Sequence, residues 1–191
     1  MMRHASHGPW GDSSRHLSRE ELERGLAALT PEKDVGTVAL IVARADDGHR
    51  NTPDRVELTP EGGVPGDAWA RDCPEETDAQ ITMMRSDFAK LVTNGQPLTL
   101  PGDNLLVDLD LSSANLPVGS RLRLGDALLE VTPKPHDGCL KFRQRFGKDA
   151  LRLTADHREL HLRGVYVKVV EAGAVAVGDR IEVLSRGSEP S

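Results

Sequence analysis

Short runs of apolar and polar residues dominate the chain from position 35 onward. GTVALIVAR (36–44) is rich in β-branched residues, and RVEL (55–58) alternates, so both predict strands. NLLVDLDL (104–111), RLRL (121–124), ALLEV (127–131), GVYVKVV (164–170) and RIEVL (180–184) extend the series. Gly125-Asp126 between two of these runs predicts a tight hairpin. The run 79–84 fits a strand followed by a helix from Asp87 to Asn94, with Ser86 as its cap and Gly95 just past its end. A helical stripe of Ile81, Met84, Phe88 and Leu91 is the competing pattern. Val118-Gly119-Ser120-Arg121-Leu122 is echoed by Val177-Gly178-Asp179-Arg180-Ile181, which reads as two strands entered through the same turn chemistry. Many short strands punctuated by Gly and Pro predict a barrel or sandwich, with short helices at 86–94 and 140–147 over an end or an edge.

The first thirty residues differ in texture. Residues 1–17 show no apolar period and read as a disordered arm. Ser18 and Glu21 then form a capping box, and Leu22, Leu26 and Leu29 share one helical face before Thr30-Pro31 stops the helix. The predicted division is a disordered arm and accessory helix over 1–34, a mostly β domain over 35–184, and a flexible tail over 185–191.

Composition narrows the function. Aromatic residues make up only 3% of the 191, so the predicted core is aliphatic and a base-stacking platform is excluded. The net charge of −6 argues against nucleic-acid binding. No run of about twenty apolar residues suggests a membrane span. Two cysteines do not make a disulfide scaffold, and the first residues lack a signal-peptide pattern, so the expected location is cytoplasmic.

The two cysteines sit in opposite surroundings. Asp72, Glu75 and Glu76 flank Cys73 and favour its protonated form. Cys139 follows Gly138 and opens a short predicted helix with Phe142 and Phe146 one turn apart, ended by Gly147. Residues 134–148 carry Lys134, Lys141, Arg143, Arg145 and Lys148, five cations against the single acid Asp137. A helix N-terminus and cationic neighbours both favour a thiolate, and His136 lies three residues upstream as a proton-moving candidate. The same cations suit a phosphate-bearing ligand; a small buried hydrophobe beside a solvated basic helix face is the alternative. His136, Cys139, His157 and His161 match no zinc spacing, and no Gly-x-Ser-x-Gly elbow, phosphate loop or dinucleotide fingerprint is present.

Five segments, taken in order, resemble one family. They are the opening strand GTVALIVAR, GGVPGDAW, PGDNLLVDLDL, the hairpin and Pro-rich loop LPVGSRLRLGDALLEVTPKPHDGCLKF, and the closing LRGVYVKVVEAGAVAVGDRIEVL. Together they resemble the MOSC domain, named for the C-terminal domain of molybdenum cofactor sulfurases. The resemblance implies a closed β-barrel of MOSC or pyruvate-kinase-barrel-like type with a few short helices. It also implies molybdenum cofactor (molybdopterin) binding, with no flavin or haem in the chain. By position it makes Cys139 the metal ligand and catalytic cysteine, His136 a catalytic proton donor, and Asn104, Lys141, Arg163 and Asp67 the cofactor-binding residues, Asp67 more as a turn former. Besides an inactive scaffold that has kept the fold, two functions follow from it. One is an oxidoreductase acting on small, including N-hydroxylated, compounds, with a separate electron-donor protein as partner. The other is a sulfur carrier that holds a persulfide on Cys139 and works with a sulfurtransferase. The chain departs from the family pattern where Ala68 replaces the arginine of Gly-Asp-Arg, and where acidic RDCPEETD replaces a basic, His-rich stretch.

Overall fold

A computed structural model describes residues 8–187. Its elements in chain order are α1 (Arg19–Ala27), β1 (Val35–Ile41), β2 (Ala43–Arg44), β3 (Arg50–Asn51), β4 (Arg55–Leu58), α2 (Ala68–Asp72), β5 (Ile81–Arg85), α3 (Ser86–Thr93), β6 (Leu105–Val107), β7 (Arg121–Leu124), β8 (Ala127–Val131), α4 (Leu140–Asp156), β9 (Val165–Glu171), β10 (Gly173–Ala176) and β11 (Arg180–Ser185). Seven strands close a barrel in the order β1-β11-β7-β8-β9-β5-β6, with β6 returning to β1. All neighbours are antiparallel except β5 and β6, which run parallel. That pair needs a crossover, which α3 and the following loop supply. β10 with β4, and β2 with β3, form two small accessory ribbons.

Alternation along the strands fills the barrel. Val38, Met83, Leu105, Leu122, Leu129, Val167 and Ile181 belong to one buried cluster without an aromatic member. A second cluster lies outside the barrel wall, where Leu22 of α1, Phe88 and Val92 of α3, and Phe142, Phe146 and Leu153 of α4 pack on Met84 and Leu106. β5 is therefore buried on both faces, which is why its sequence does not alternate. Both segments of the Val-Gly echo turn through a left-handed glycine, Gly119 at φ 84° and Gly178 at φ 89°, and lead into the paired strands β7 and β11.

Several expected boundaries shift for identifiable reasons. The predicted strand 36–44 divides into β1, which pairs with β6 and β11, and β2, which leaves the barrel to pair with β3. Ser86 is not the cap of α3 but its first residue, and its hydroxyl bonds the Asp108 carboxylate; Arg85 holds the capping position. Gly147 does not end the helix that begins after Cys139. At φ 90° it kinks the chain, and helical structure resumes to Asp156. The capping box of Ser18 and Glu21 forms as read.

The arm read as disordered over 1–17 divides at residue 8. Residues 1–7 lie outside the described residues. Residues 8–17 pack along α4 and include a one-turn 3-10 helix, Ser13–Arg15. At the other end Arg186 bonds Asp34 at 2.7 Å and the Asn115 carbonyl at 3.0 Å, and Gly187 N–H donates to Ser120. Residues 188–191 of the predicted tail lie outside the described residues. Among the described residues no helix is long and apolar enough to cross a membrane.

Candidate functional site

The loop from Thr132 to Cys139 carries the chain from β8 to α4. Cys139 is the N-terminal capping residue of α4 and is exposed. Its side chain caps no backbone N–H, so the sulfur is not consumed by the helix. It lies on the wall of a cavity of about 460 Å³, where Arg44, Arg50, Lys141, Arg145 and Arg163 also converge. Arg71 of α2, paired with Asp72 at 3.3 Å, lines it too, as does Asp137, so the cations come from five places: the end of β1–β2, the β3 turn, α2, α4, and the residue pair ahead of β9.

Two carboxylates behind the wall hold part of this charge. Asp67, almost fully buried, takes Arg44 in a two-pronged pair at 2.6 and 2.9 Å, accepts from Arg44 N–H, and caps α2 through Trp69 N–H at 3.0 Å. Burial alone would raise the Asp67 pKa; the Arg44 contacts and the Trp69 N–H outweigh it and hold the carboxyl below its ordinary range. Asp103, with no exposed side-chain surface, accepts from Arg163 at 2.6 Å. Arg163 also lies 5.2 Å over the Phe142 ring, which ties it to α4.

His136 sits between these groups. Its side chain is 8% exposed, its Nδ1 is 3.7 Å from Asp103, and its ring lies on Tyr166 at 4.6 Å. Burial first, and Arg163 second, push its pKa down to about 3. His136 is therefore neutral at neutral pH, and the expected role as an imidazolium proton donor does not fit this environment. The depressed pKa carries a stability consequence. A group protonated more readily in the unfolded chain stabilises the fold above about pH 6.5 and loses that contribution as pH falls toward 3. His136→Phe should therefore resist acid better than wild type, with the difference in unfolding free energy between pH 7.5 and 4.5 smaller by about 2 kcal/mol. Urea melts at the two pH values measure it, and equal losses in both proteins would refute the buried neutral ring.

The sequence-predicted residues divide accordingly. Cys139, His136, Lys141 and Arg163 meet on one cavity. Asp67 and Asn104 do not line it. Asn104 is fully buried: its Oδ1 accepts from Thr82 N–H and the Thr82 hydroxyl at 3.0 Å each, and its Nδ2 donates to the Val42 carbonyl at 3.1 Å. Both residues support the wall and hold Arg44 from behind. Of the cations read from 134–148, Arg143 and Lys148 are exposed and off the cavity, and Lys134 pairs with Glu76. Sequence reasoning missed Arg44, Arg50 and Asp103. Arg44 closes a strand-like run and Arg50 flanks a tight turn, so neither carried a pattern of its own. Ala68 lies in the cavity wall at the position where the family resemblance expects arginine, and brings no charge there. Cys73 is set apart by burial and by Glu76, Glu75 and Asp72, all of which raise its pKa.

A second cavity of about 460 Å³ lies on the other side of the Pro133–Gly138 loop. It shares His136, Asp137 and Arg163 with the first, but its walls include Val118, Val131, Leu151 and Leu162, and Cys139 does not line it.

Comparison with known proteins places this barrel and its cysteine loop in a family. The MOSC domain matches residues 67–182, and the chain belongs to that family. A Bacillus subtilis (strain 168) protein, uncharacterized YflK, is 33% identical over 88 residues, which is 46% of this chain and 38% of that protein. The chain thus matches well under half the length of that relative. Among solved structures, the crystal structure of a hypothetical protein superposes with a TM-score of 0.63 at 21% identity, covering 83% of this chain and 72% of the other. YiiM from Escherichia coli superposes with a TM-score of 0.56 at 20% identity, covering 84% and 74%. At that identity the likeness is one of fold.

Proposed function

We propose that the chain binds an anionic molybdenum–pterin cofactor in the cationic cavity and serves as an oxidoreductase for small compounds, N-hydroxylated ones included. The observation that carries this reading is the convergence of an exposed cysteine at a helix N-terminus with five arginines and Lys141, against two carboxylates, on one cavity. The residues present fit such a group. Arg50 Nε, Arg163 Nε and His136 Nδ1 are buried without hydrogen-bond partners, so polar capacity at this site is unspent. Among the described residues no cluster of three or more His, Cys, Asp or Glu can hold a metal, so a metal here would be held by Cys139 and by the cofactor's own ligands. A thiolate suits a soft metal centre.

Cys139 would hold the metal, Arg50, Arg145 and Lys141 would grip the anionic end, and Asp103 would keep Arg163 and His136 in place. When bound, the cofactor would supply two-electron redox chemistry. His136, neutral and tilted against Tyr166, would shape the wall rather than deliver a proton. Reducing equivalents would come from a separate electron-donor protein. The exposure of Cys139 favours one second reading, a persulfide carrier loaded by a sulfurtransferase.

The test is molybdenum and pterin content after production in a molybdenum-competent host. Wild type and Cys73→Ser should carry both, and Cys139→Ser neither. Equal content in wild type and Cys139→Ser would overturn the site. Sulfane sulfur on Cys139 without molybdenum would transfer the assignment to the carrier reading.

A further inference from the structure

The second cavity, across the loop that leads to Cys139, differs in character from the first. Val131 ends β8 and Val165 opens β9, and both stand in its wall. Pro133 and Pro135 add the loop side, and Leu151 and Ala155 add α4. The last two belong to the half of α4 that continues past the Gly147 kink. A helix ended at Gly147 would leave the cavity without this wall. The loop and the helix meet at Gly138, where a Cβ would stand 2.3 Å from Leu151 Cδ1 and 3.2 Å from Thr154 Oγ1.

Most polar groups of the wall are already committed. Lys134 is paired with Glu76, and Arg163 with Asp103 at 2.6 Å. The Thr132 hydroxyl donates to the Asp78 carbonyl at 2.6 Å, and the Thr154 hydroxyl to the Leu151 carbonyl at 2.8 Å. His161 Nδ1 lies 2.8 Å from the Leu111 carbonyl, so in the neutral ring this nitrogen carries the proton. Arg158 is different. Among the described residues its guanidinium has no carboxylate within ion-pair distance and no hydrogen-bond partner. It stands exposed three residues past Ala155. Three cations, Lys134, Arg158 and Arg163, line the cavity against one acid, Asp137, and of the three only Arg158 lacks a counter-charge. An apolar wall with one uncommitted guanidinium is complementary to a molecule with an apolar body and a single carboxylate, which a guanidinium takes through two parallel N–H···O bonds.

We propose that this cavity binds a small carboxylic acid with an apolar body, its carboxylate on Arg158 and its body between the Pro133–Gly138 loop and the second half of α4. The volume of about 460 Å³ suits a ligand of that size. The site is separate from the cysteine cavity, since neither Cys139 nor Arg50 lines it. The inference goes beyond the cofactor reading and does not depend on it.

The experiment is calorimetric titration of the full chain with 4-phenylbutyrate, beside its uncharged amide, 4-phenylbutanamide, and the amine 4-phenylbutylamine. The acid should bind once per chain with a Kd of about 1 mM or tighter, and at least about tenfold more tightly than the amide or the amine. Arg158→Gln, at an exposed position, should bring the acid to within about threefold of the amide, while Arg158→Lys keeps the charge and part of the preference. Ala155→Trp fills the cavity from an exposed helix position and should weaken the acid about tenfold or more, with an unchanged Tm to show that the fold is kept. Arg143→Gln, which lies off both cavities, should bind the acid as wild type does. Equal affinity of wild type for acid and amide, tighter binding of the amine, or no saturable binding of the acid up to about 10 mM would overturn the proposal. So would a loss of acid affinity in Arg50→Gln with none in Arg158→Gln, which would put the carboxylate in the cysteine cavity. The titration needs no cofactor, so its outcome and that of the molybdenum analysis are independent.

Discussion

Asp103→Leu is expected to lower the stability of the folded chain by about 3 kcal/mol, a fall in Tm of roughly 10 °C. The substitution removes the only carboxylate within ion-pair distance of Arg163 among the described residues. Asp103 has no exposed side-chain surface and Arg163 only 11%, so the cation left behind stays largely out of water. Removing one member of a buried pair costs more than the pair contributes, because the survivor retains its desolvation penalty. The double variant Asp103→Leu with Arg163→Leu should therefore be more stable than Asp103→Leu alone. Chemical denaturation of the three proteins measures this. A single variant within about 1 kcal/mol of wild type, or a double variant less stable than the single, would show that the pair does not hold the wall.

Asn104→Leu is the second large effect, again about 3 kcal/mol, for a different reason. Asn104 is a neutral crosslink at the point where β1 ends and β5 and β6 run side by side. Its side-chain oxygen accepts from the Thr82 N–H and hydroxyl, its amide donates to Val42, and its own backbone N–H receives the Thr82 hydroxyl at 2.9 Å. Leucine has similar volume but leaves the Thr82 N–H and the Val42 carbonyl buried without partners, at about 1–3 kcal/mol each. Asn104→Asp should also destabilise, since a carboxylate cannot donate to Val42. Faster hydrogen exchange at the Thr82 amide would accompany both changes. A loss below about 1 kcal/mol, with Thr82 exchange unchanged, would return Asn104 to the role of a direct ligand that the sequence suggested.

These two residues show where the sequence was legible and where it was not. Strand alternation, the Gly125-Asp126 hairpin and the Ser18 capping box are local signals, and the structure contains each of them. Cys139 was legible because its motif, helix start and charge lie within a dozen residues. The Asn of Pro-Gly-Asp-Asn was noticed by its motif and given the wrong neighbours, because a buried hydrogen-bonding asparagine and a ligand asparagine look alike in one dimension. The preceding Asp103 carried no mark at all until the fold brought Arg163 to it across sixty positions. Arg50 and Arg145 are ninety-five positions apart and meet only because β3 and α4 border one cavity. The second half of α4 was lost because Gly147 reads as a stop, whereas at φ 90° it bends the chain and lets it continue. The segment 8–17 lacks apolar periodicity, and what fixes it is backbone contact with Arg145, Gln96 and Asn94, a kind of attachment that composition does not reveal.

The missing arginine at Ala68 has a counterpart in this geometry. Ala68 itself brings no charge and Arg71 of the same helix is paired with Asp72 at 3.3 Å, yet Arg44, Arg50, Arg145 and Arg163 bring positive charge to the same cavity from other elements. A site can keep its electrostatic character while the residues that supply it move along the chain, since an anion responds to the position of charge and not to its sequence order.

Cys139 is the proposed ligand to molybdenum. The most direct measurement is molybdenum K-edge X-ray absorption of the cofactor-loaded full chain, wild type beside a Cys139→Ser sample loaded in vitro. The account predicts one protein-derived sulfur in the metal's coordination shell of wild type, absent from the variant and replaced by an oxygen or nitrogen scatterer. Identical sulfur coordination in the two proteins would contradict it.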